Sequence, residues 1–136
     1  MKIDGGCHCG AIAYEAELDL DRVAICHCSD CQSLSGSVYR TVAIVAGDTF
    51  EITKGRPKEY VKVGDSGNRR IQAFCGQCGS ALYATDVSGS PAAYNLRVGT
   101  IRQRAELVPK MEFFCRSAMP WLPEVSNTVK FDGPPK

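Results

Sequence analysis

Cys7-His8-Cys9 and Cys75-Gly76-Gln77-Cys78 are two cysteine pairs that lie far apart in a chain of 136 residues. In an extended backbone, the two cysteines of a C-x-C point to the same side, so both thiolates can reach one ion. A C-x-x-C with glycine curls tightly enough to present two sulfurs to one ion. Because a closed structural zinc site takes four ligands, we predict one such site formed by Cys7, Cys9, Cys75 and Cys78.

A third cluster, Cys26-His27-Cys28-Ser29-Asp30-Cys31, supplies three sulfurs from six consecutive residues. No obvious fourth ligand accompanies it, and three protein ligands are the number expected of an open, reactive zinc site. We predict a second, catalytic zinc site formed by Cys26, Cys28 and Cys31. As the middle residues of C-x-C pairs, His8 and His27 are expected to face away from the ions.

Other interpretations of the cysteines stay open. An even count of eight allows disulfides, although cysteines two residues apart pair poorly. His27 or Asp30 can instead close the second site, which would make both zincs structural. A site that shares ligands across clusters is a further alternative. The eighth cysteine, Cys115, follows two phenylalanines and is predicted to be a buried small hydrophobe.

The composition is that of a globular chain, with 44% hydrophobic and 23% charged residues. We expect a single domain over residues 1–136, with a Pro/Gly tail from Asp132 that frays. The net charge of +1 and the few basic residues at Arg102, Arg104 and Lys110 argue against a nucleic-acid partner. No secretory signal or bilayer-spanning stretch is visible, so we expect a cytoplasmic protein without a membrane partner. The oligomeric state is left open.

Apolar residues alternate mostly with period two, which indicates strands. The alternation is clear in Ile12 to Ala16, Val42 to Ala46, Phe50 to Ile52 and the valines around Tyr60. Further strand-like runs lie at Arg22 to Cys26, Arg69 to Phe74, Ala81 to Ala84, Ala92 to Val98 and Met111 to Cys115. Turn signals such as Gly47-Asp48 and Asp65-Ser66-Gly67-Asn68 separate them. The pattern predicts a mainly β fold of about nine short strands, with one helical turn at Ser29 to Ser33 and Ser29 as its N-cap.

Three thiolates on Zn²⁺ leave a net charge of about −1, so such an ion acidifies water less than one held by three neutral histidines. A soft, thiolate-rich ion is better suited to bind another thiol and hold it for attack on an electrophilic carbon. Because a fourth thiolate adds negative charge, cations are expected nearby. Candidates, each otherwise an ordinary surface charge, are Arg40, Arg69, Arg70, Arg97 and Arg116.

Three ordered motifs, Gly6-Cys7-His8-Cys9-Gly10, Cys26 to Gln32 with Ser35-Gly36-Ser37, and Phe74 to Tyr83, together resemble the glutathione-dependent formaldehyde-activating enzyme family, which includes centromere protein V. The resemblance runs from about Gly5 to Trp121. It implies a mainly β, Mss4-like fold with two zincs, divided between the clusters as above. It also implies a carbon-sulfur lyase reaction, written reversibly as the joining of formaldehyde to the glutathione thiol to give S-hydroxymethylglutathione.

We therefore predict a zinc-dependent carbon-sulfur lyase-type enzyme that acts on a small thiol adduct, such as that of glutathione with formaldehyde. The alternatives are a zinc-dependent thiol-binding protein without catalysis and a structural zinc adaptor. The sequence departs from the family pattern in two places. Ile101-Arg102-Gln103 stands where many members continue with Leu-Asp, and Glu112 stands where a histidine is frequent.

Overall fold

A computed structural model describes residues 1–64 and 66–135. Within these residues the chain forms ten strands, one α-helix and five short 3₁₀ segments. The strands are β1 Lys2–Gly6, β2 Ala13–Glu17, β3 Val23–Cys26, β4 Arg40–Ala46, β5 Glu51–Lys54, β6 Lys58–Val63, β7 Arg69–Phe74, β8 Ala81–Asp86, β9 Ala93–Arg97 and β10 Met111–Phe113. The helix α1 spans Ser29–Ser35. The 3₁₀ segments are Gly47–Thr49, Val98–Thr100, Arg104–Glu106, Cys115–Ser117 and Leu122–Asn127. The predicted mainly β fold is confirmed.

The strands form two sheets. A three-stranded sheet has the order β1-β2-β5, and a seven-stranded sheet has the order β10-β3-β4-β9-β8-β7-β6. Neighbouring strands are antiparallel except β10, which pairs in parallel with β3. The turn predicted between β6 and β7 begins at Asp65, which lies outside the described residues; Gly67 within it has φ +83°.

The hydrophobic core lies on one face of the large sheet. Five buried residues are cross-strand partners in successive strands from β3 to β7 and therefore share that face: Val23, Ala43, Leu96, Tyr83 and Ala73. The small sheet contributes Ile3, Tyr14 and Ala16 to the same core. Because side chains alternate along each strand, the intervening residues of the large sheet lie on its opposite face.

Two local predictions differ from the structure. Strand β1, over Lys2–Gly6, was not predicted, because its glycines hide the alternation of apolar and polar residues. The N-cap of α1 is Cys28 and not Ser29: the Cys28 sulfur accepts the backbone N–H of Cys31 at 3.3 Å. A sulfur thus does the capping that a hydroxyl oxygen ordinarily does. Among the described residues, no helix has the length and apolar character needed to cross a membrane.

Candidate metal centres

The four-cysteine cluster forms where two turns meet. Cys7 and Cys9 lie in the turn between β1 and β2, and Cys75 and Cys78 in the turn between β7 and β8. All four sulfurs lie within 4.8 Å of one another. The sulfurs of Cys7 and Cys9 are 3.6 Å apart, and those of Cys9 and Cys75 are 3.8 Å apart. A tetrahedron with Zn–S arms of about 2.3 Å has edges of about 3.8 Å, so the four donors fit a zinc ion.

Backbone N–H groups stabilise negative charge on these sulfurs. The Cys7 sulfur accepts the N–H of Ile12 at 3.2 Å, and the Cys75 sulfur accepts the N–H of Gln77 at 3.4 Å. The hydroxyl of Ser80, 3.2 Å from the Cys78 sulfur, together with its backbone, lowers the pKa of Cys78 to about 5. The Ala11 N–H favours the thiolate of Cys9, but burial and the neighbouring sulfurs outweigh it and raise the pKa of Cys9 to about 11. Because metals bind the thiolate form, a bound cation would be needed to make all four sulfurs thiolates.

The three-cysteine cluster forms where β3 runs into α1. Cys26 ends β3, Cys28 caps the helix and Cys31 lies in its first turn. Their sulfurs lie within 4.8 Å of one another. Burial raises the pKa of Cys26, and burial with the neighbouring sulfurs raises that of Cys31 to about 12. Burial also opposes ionisation of Cys28, but the Cys31 N–H and the neighbouring sulfurs outweigh it and lower its pKa. Ionisation of one thiol therefore disfavours ionisation of its neighbours, and a bound cation would remove this electrostatic penalty.

A cavity of about 250 Å³ adjoins these three cysteines. Its floor is the face of the large sheet opposite the core, and α1 contributes Leu34 to its wall. Phe113 and Phe114 flank it on the β10 side. Phe114 has a left-handed backbone (φ 56°, ψ 45°), which is uncommon outside glycine and tends to occur at functional sites. A small molecule in this cavity can approach the three sulfurs.

The candidate arginines divide into two groups. Arg40, Arg70 and Arg97 line the cavity, and Lys62 joins them. The other two candidates, Arg69 and Arg116, are exposed, and the Arg116 guanidinium lies 5.2 Å from the centre of the Phe114 ring. Three of the five candidate arginines therefore line the cavity beside the three cysteines.

Neither residue proposed to close the second site joins its three sulfurs in the described structure. His27 is buried, and its Nε2 donates to a carboxylate oxygen of Glu112 at 2.8 Å. Asp30 forms an ion pair with the Lys62 ammonium at 2.8 Å. His8 is exposed. Both side chains that could have supplied a fourth ligand are therefore engaged elsewhere.

The prediction that Cys115 is buried was wrong: the residue is exposed. Strand β10 ends at Phe113, and the left-handed turn at Phe114 sends the chain into a surface 3₁₀ segment that begins with Cys115. Its sulfur lies within 4.8 Å of donor atoms of His27 and Glu112, a third group whose atoms could hold a metal ion. All eight cysteines are free thiols.

Sequence reasoning missed the polar side chains opposite Cys26. Gln72, Asn95 and Lys62 also line the cavity. The available signal was the alternation within β6, β7 and β9, which puts them on one face of each strand. Which strands lie beside Cys26, however, depends on pairing between distant segments.

Comparison with known proteins agrees with this arrangement. The profile of the glutathione-dependent formaldehyde-activating enzyme family matches residues 2–117, which include both the three-cysteine and the four-cysteine clusters. A crystal structure of a Rhodobacter sphaeroides protein superposes with a TM-score of 0.61 at 20% identity, covering 80% of this chain and 98% of that one. At that identity the likeness shows a shared fold. Because the family profile matches most of its length, this chain belongs to the glutathione-dependent formaldehyde-activating enzyme family.

Proposed function

We propose that this chain is a zinc-dependent carbon-sulfur lyase-type enzyme that acts on the adduct of a small thiol with an aldehyde, such as glutathione with formaldehyde. The observation that carries the proposal is the three-sulfur cluster of Cys26, Cys28 and Cys31 beside a cavity lined by basic side chains. The name of the family indicates glutathione as the thiol and formaldehyde as the aldehyde.

The two clusters are assigned different roles because their ligand counts differ. Four sulfurs complete a closed zinc site, so Cys7, Cys9, Cys75 and Cys78 are proposed as structural ligands. Three sulfurs leave one position for substrate, so Cys26, Cys28 and Cys31 are proposed to hold the catalytic ion. The engagement of His27 with Glu112 and of Asp30 with Lys62 supports the open site.

Zinc held by the three sulfurs would supply a Lewis acid that favours the thiolate form of a bound thiol. The protein side chains supply binding and orientation. Guanidinium groups in the cavity wall favour an anionic guest, and the rings of Phe113 and Phe114 give the wall an apolar side. In the addition, a carbon-sulfur bond forms while the S–H bond and the π bond of the aldehyde C=O break, and the thiol proton ends on the aldehyde oxygen. The reverse step breaks that bond and returns the proton to sulfur.

The proposal is tested by the rate at which formaldehyde exchanges between free and glutathione-bound forms. We expect the zinc-loaded protein to accelerate this exchange, followed by NMR exchange spectroscopy with ¹³C-formaldehyde. Cys28→Ser should lose about one zinc per chain and return the exchange to its uncatalysed rate, because two protein sulfurs hold the ion poorly.

The matched control is Cys115→Ser, which makes the same chemical change at an exposed cysteine outside both clusters. It should keep both zincs and the exchange rate. Glutathione binding without faster exchange would instead favour a non-catalytic thiol-binding protein. Unchanged exchange in Cys28→Ser would contradict the assignment of the site.

A further inference from the structure

Three side chains with different donor atoms meet beside the end of β3. The Nε2 of His27 lies 2.8 Å from a carboxylate oxygen of Glu112, and the sulfur of Cys115 lies within 4.8 Å of donor atoms of both. None of the three residues belongs to either cysteine cluster. A nitrogen, an oxygen and a sulfur are thus brought together from the end of β3, from β10 and from the surface segment that follows β10.

Strand β10 holds Glu112 beside His27. Glu112 is the cross-strand partner of Ile25, two residues before His27. The His27 N–H donates to the Phe113 carbonyl oxygen at 3.0 Å, which extends the pairing of β3 with β10 past the end of β3. Because side chains alternate along a strand, Ile25 and Glu112 lie on the face of the sheet opposite Cys26. The pair of His27 and Glu112 is therefore separate from the three-cysteine cluster.

Cys115 reaches this pair through the turn after β10. The left-handed backbone of Phe114 sends the chain into the 3₁₀ segment Cys115–Ser117. From α1, Gln32 Nε2 donates to the carbonyl oxygens of His27 and Ser117, at 2.8 and 3.1 Å. The helix therefore ties the residue that carries the imidazole to the segment that carries the thiol.

The polar atoms of this group have few other partners. His27 is 3% exposed, and its Nδ1 has no hydrogen-bond partner in the part of the chain that the structure describes. Within the same part of the chain, no lysine or arginine lies within ion-pair distance of Glu112. Cys115 is a free thiol. A thiolate and a carboxylate carry two negative charges, which a divalent cation balances when the imidazole is neutral.

The donor atoms select the kind of ion. Imidazole nitrogen and thiolate sulfur favour zinc and related transition metals, whereas magnesium and calcium take oxygen ligands. The side chains of Glu112 and Cys115 are exposed, so they can draw towards His27 as an ion binds. The ion would take the place of the proton that His27 donates to Glu112. Three protein ligands leave one position of a tetrahedral ion to water.

We propose that His27, Glu112 and Cys115 form a third metal site, which binds one Zn²⁺ or a similar transition-metal ion. The site is independent of the proposed function, because it shares no ligand with either cysteine cluster. A single thiolate at an exposed site holds an ion less firmly than three or four thiolates do. Gel filtration that removes free zinc should therefore empty this site and leave the two cysteine clusters loaded.

The test titrates Co²⁺ into protein that has been loaded with zinc and freed of excess metal. Co²⁺ is the probe because a thiolate bound to it gives a charge-transfer band in the near ultraviolet, where zinc is silent. We expect wild type to bind one Co²⁺ per chain with a dissociation constant in the micromolar range. Cys115→Ser should lose the band. Glu112→Gln should weaken binding at least about tenfold, as the loss of a ligand implies.

Glu124→Gln is the matched control, since it removes a carboxylate from an exposed position in the segment Leu122–Asn127. It should bind Co²⁺ as wild type does. The measured quantity is the difference between wild type and Cys115→Ser, because any exchange of Co²⁺ for zinc in the two cysteine clusters is the same in both. Equal bands in these two proteins would overturn the site. Binding by Glu112→Gln as tight as that of wild type would also overturn it, and so would the absence of a band in wild type, which needs no variant to fold.

Discussion

The Cys28 sulfur has two roles, one in the three-cysteine cluster and one as the cap of α1. As the cap, it accepts the N–H of Cys31. A hydrogen bond from an N–H favours the thiolate, so the start of the helix helps to prepare the cluster. The position of α1 and the geometry of the sulfurs are therefore coupled through one residue.

Asp4 is the centre of another local network. Its carboxylate accepts from Arg102 Nη2 at 2.9 Å and from Gln103 Nε2 at 2.7 Å, and its backbone N–H donates to the side-chain oxygen of Gln103 at 3.1 Å. These bonds join β1 to the segment after the 3₁₀ turn Val98–Thr100. Asp4 thus gives Arg102 and Gln103 a structural role.

Asp4→Asn should lower the melting temperature at neutral pH, with a loss that depends on pH. The hydrogen bond from Arg102, followed by that from Gln103, lowers the pKa of Asp4 below its usual 3.8. A lowered pKa means that the ionised carboxylate stabilises the fold above pH 3.8, and that this contribution is lost as the pH falls through the lowered pKa. Thermal melts of wild type and variant should therefore differ at pH 7 and converge once the pH has fallen through the lowered pKa of Asp4.

Asp132→Asn, at an exposed tail residue, is the control and should behave as wild type. A difference between wild type and Asp4→Asn that persists unchanged at the lowest pH would show that the charge of Asp4 is not what stabilises this junction.

At the scale of elements, β1 depends on a residue without a side chain. Gly5 faces Ile101 in an isolated antiparallel bridge. A Cβ placed on Gly5 would overlap the Thr100 carbonyl oxygen and come within 2.7 Å of the Tyr14 hydroxyl. That hydroxyl is bonded to Thr100 Oγ1 at 2.7 Å. The glycine that obscures β1 in the sequence is the one that lets β1 approach the rest of the fold.

Gly5→Ala should therefore reduce the free energy of unfolding by about 1–3 kcal/mol, the usual cost of overpacking a buried contact. Urea denaturation with and without the substitution measures it. Gly99→Ala is a nearby control, because a Cβ at Gly99 meets no atom within 4 Å. Equal stability of the two variants would mean that β1 shifts without cost and that the close approach is not required.

At the scale of the whole molecule, the four-cysteine cluster joins the two sheets. Cys7 and Cys9 follow β1 of the small sheet, whereas Cys75 and Cys78 follow β7 of the large one. Cys7 and Cys75 are also part of the hydrophobic core. A metal ion there would hold together segments almost seventy residues apart and would stabilise the packing of one sheet on the other.

Cys78→Ser should therefore destabilise the protein more than Cys28→Ser. We expect a loss of about 3 kcal/mol, a fraction of the binding free energy of a structural zinc, and a melting temperature lower by about 10 °C. A chelator should lower the melting temperature of wild type in the same direction. Melting temperatures and zinc contents of the two variants provide the test. A larger loss in Cys28→Ser would reverse the assignment of structural and open sites.

The sequence by itself determined the fold class and the grouping of cysteines, because both depend on short-range regularities. Alternation with period two acts within a strand, and ligand spacing acts within a few residues. The structure brings together the same two sets of sulfurs that spacing had grouped, while their structural and catalytic roles stay predictions.

Only the tertiary structure decided which charged and polar side chains lie beside the three cysteines. Arg40, Arg97 and Gln72 come from three strands, and their common face depends on the register between β4, β9, β8 and β7. A register shift of one residue would send any of these side chains to the opposite face. The exposure of Cys115 likewise follows from the left-handed turn at Phe114. Long-range pairing decides which side chains lie beside the cysteines, and no local pattern in the sequence encodes that pairing.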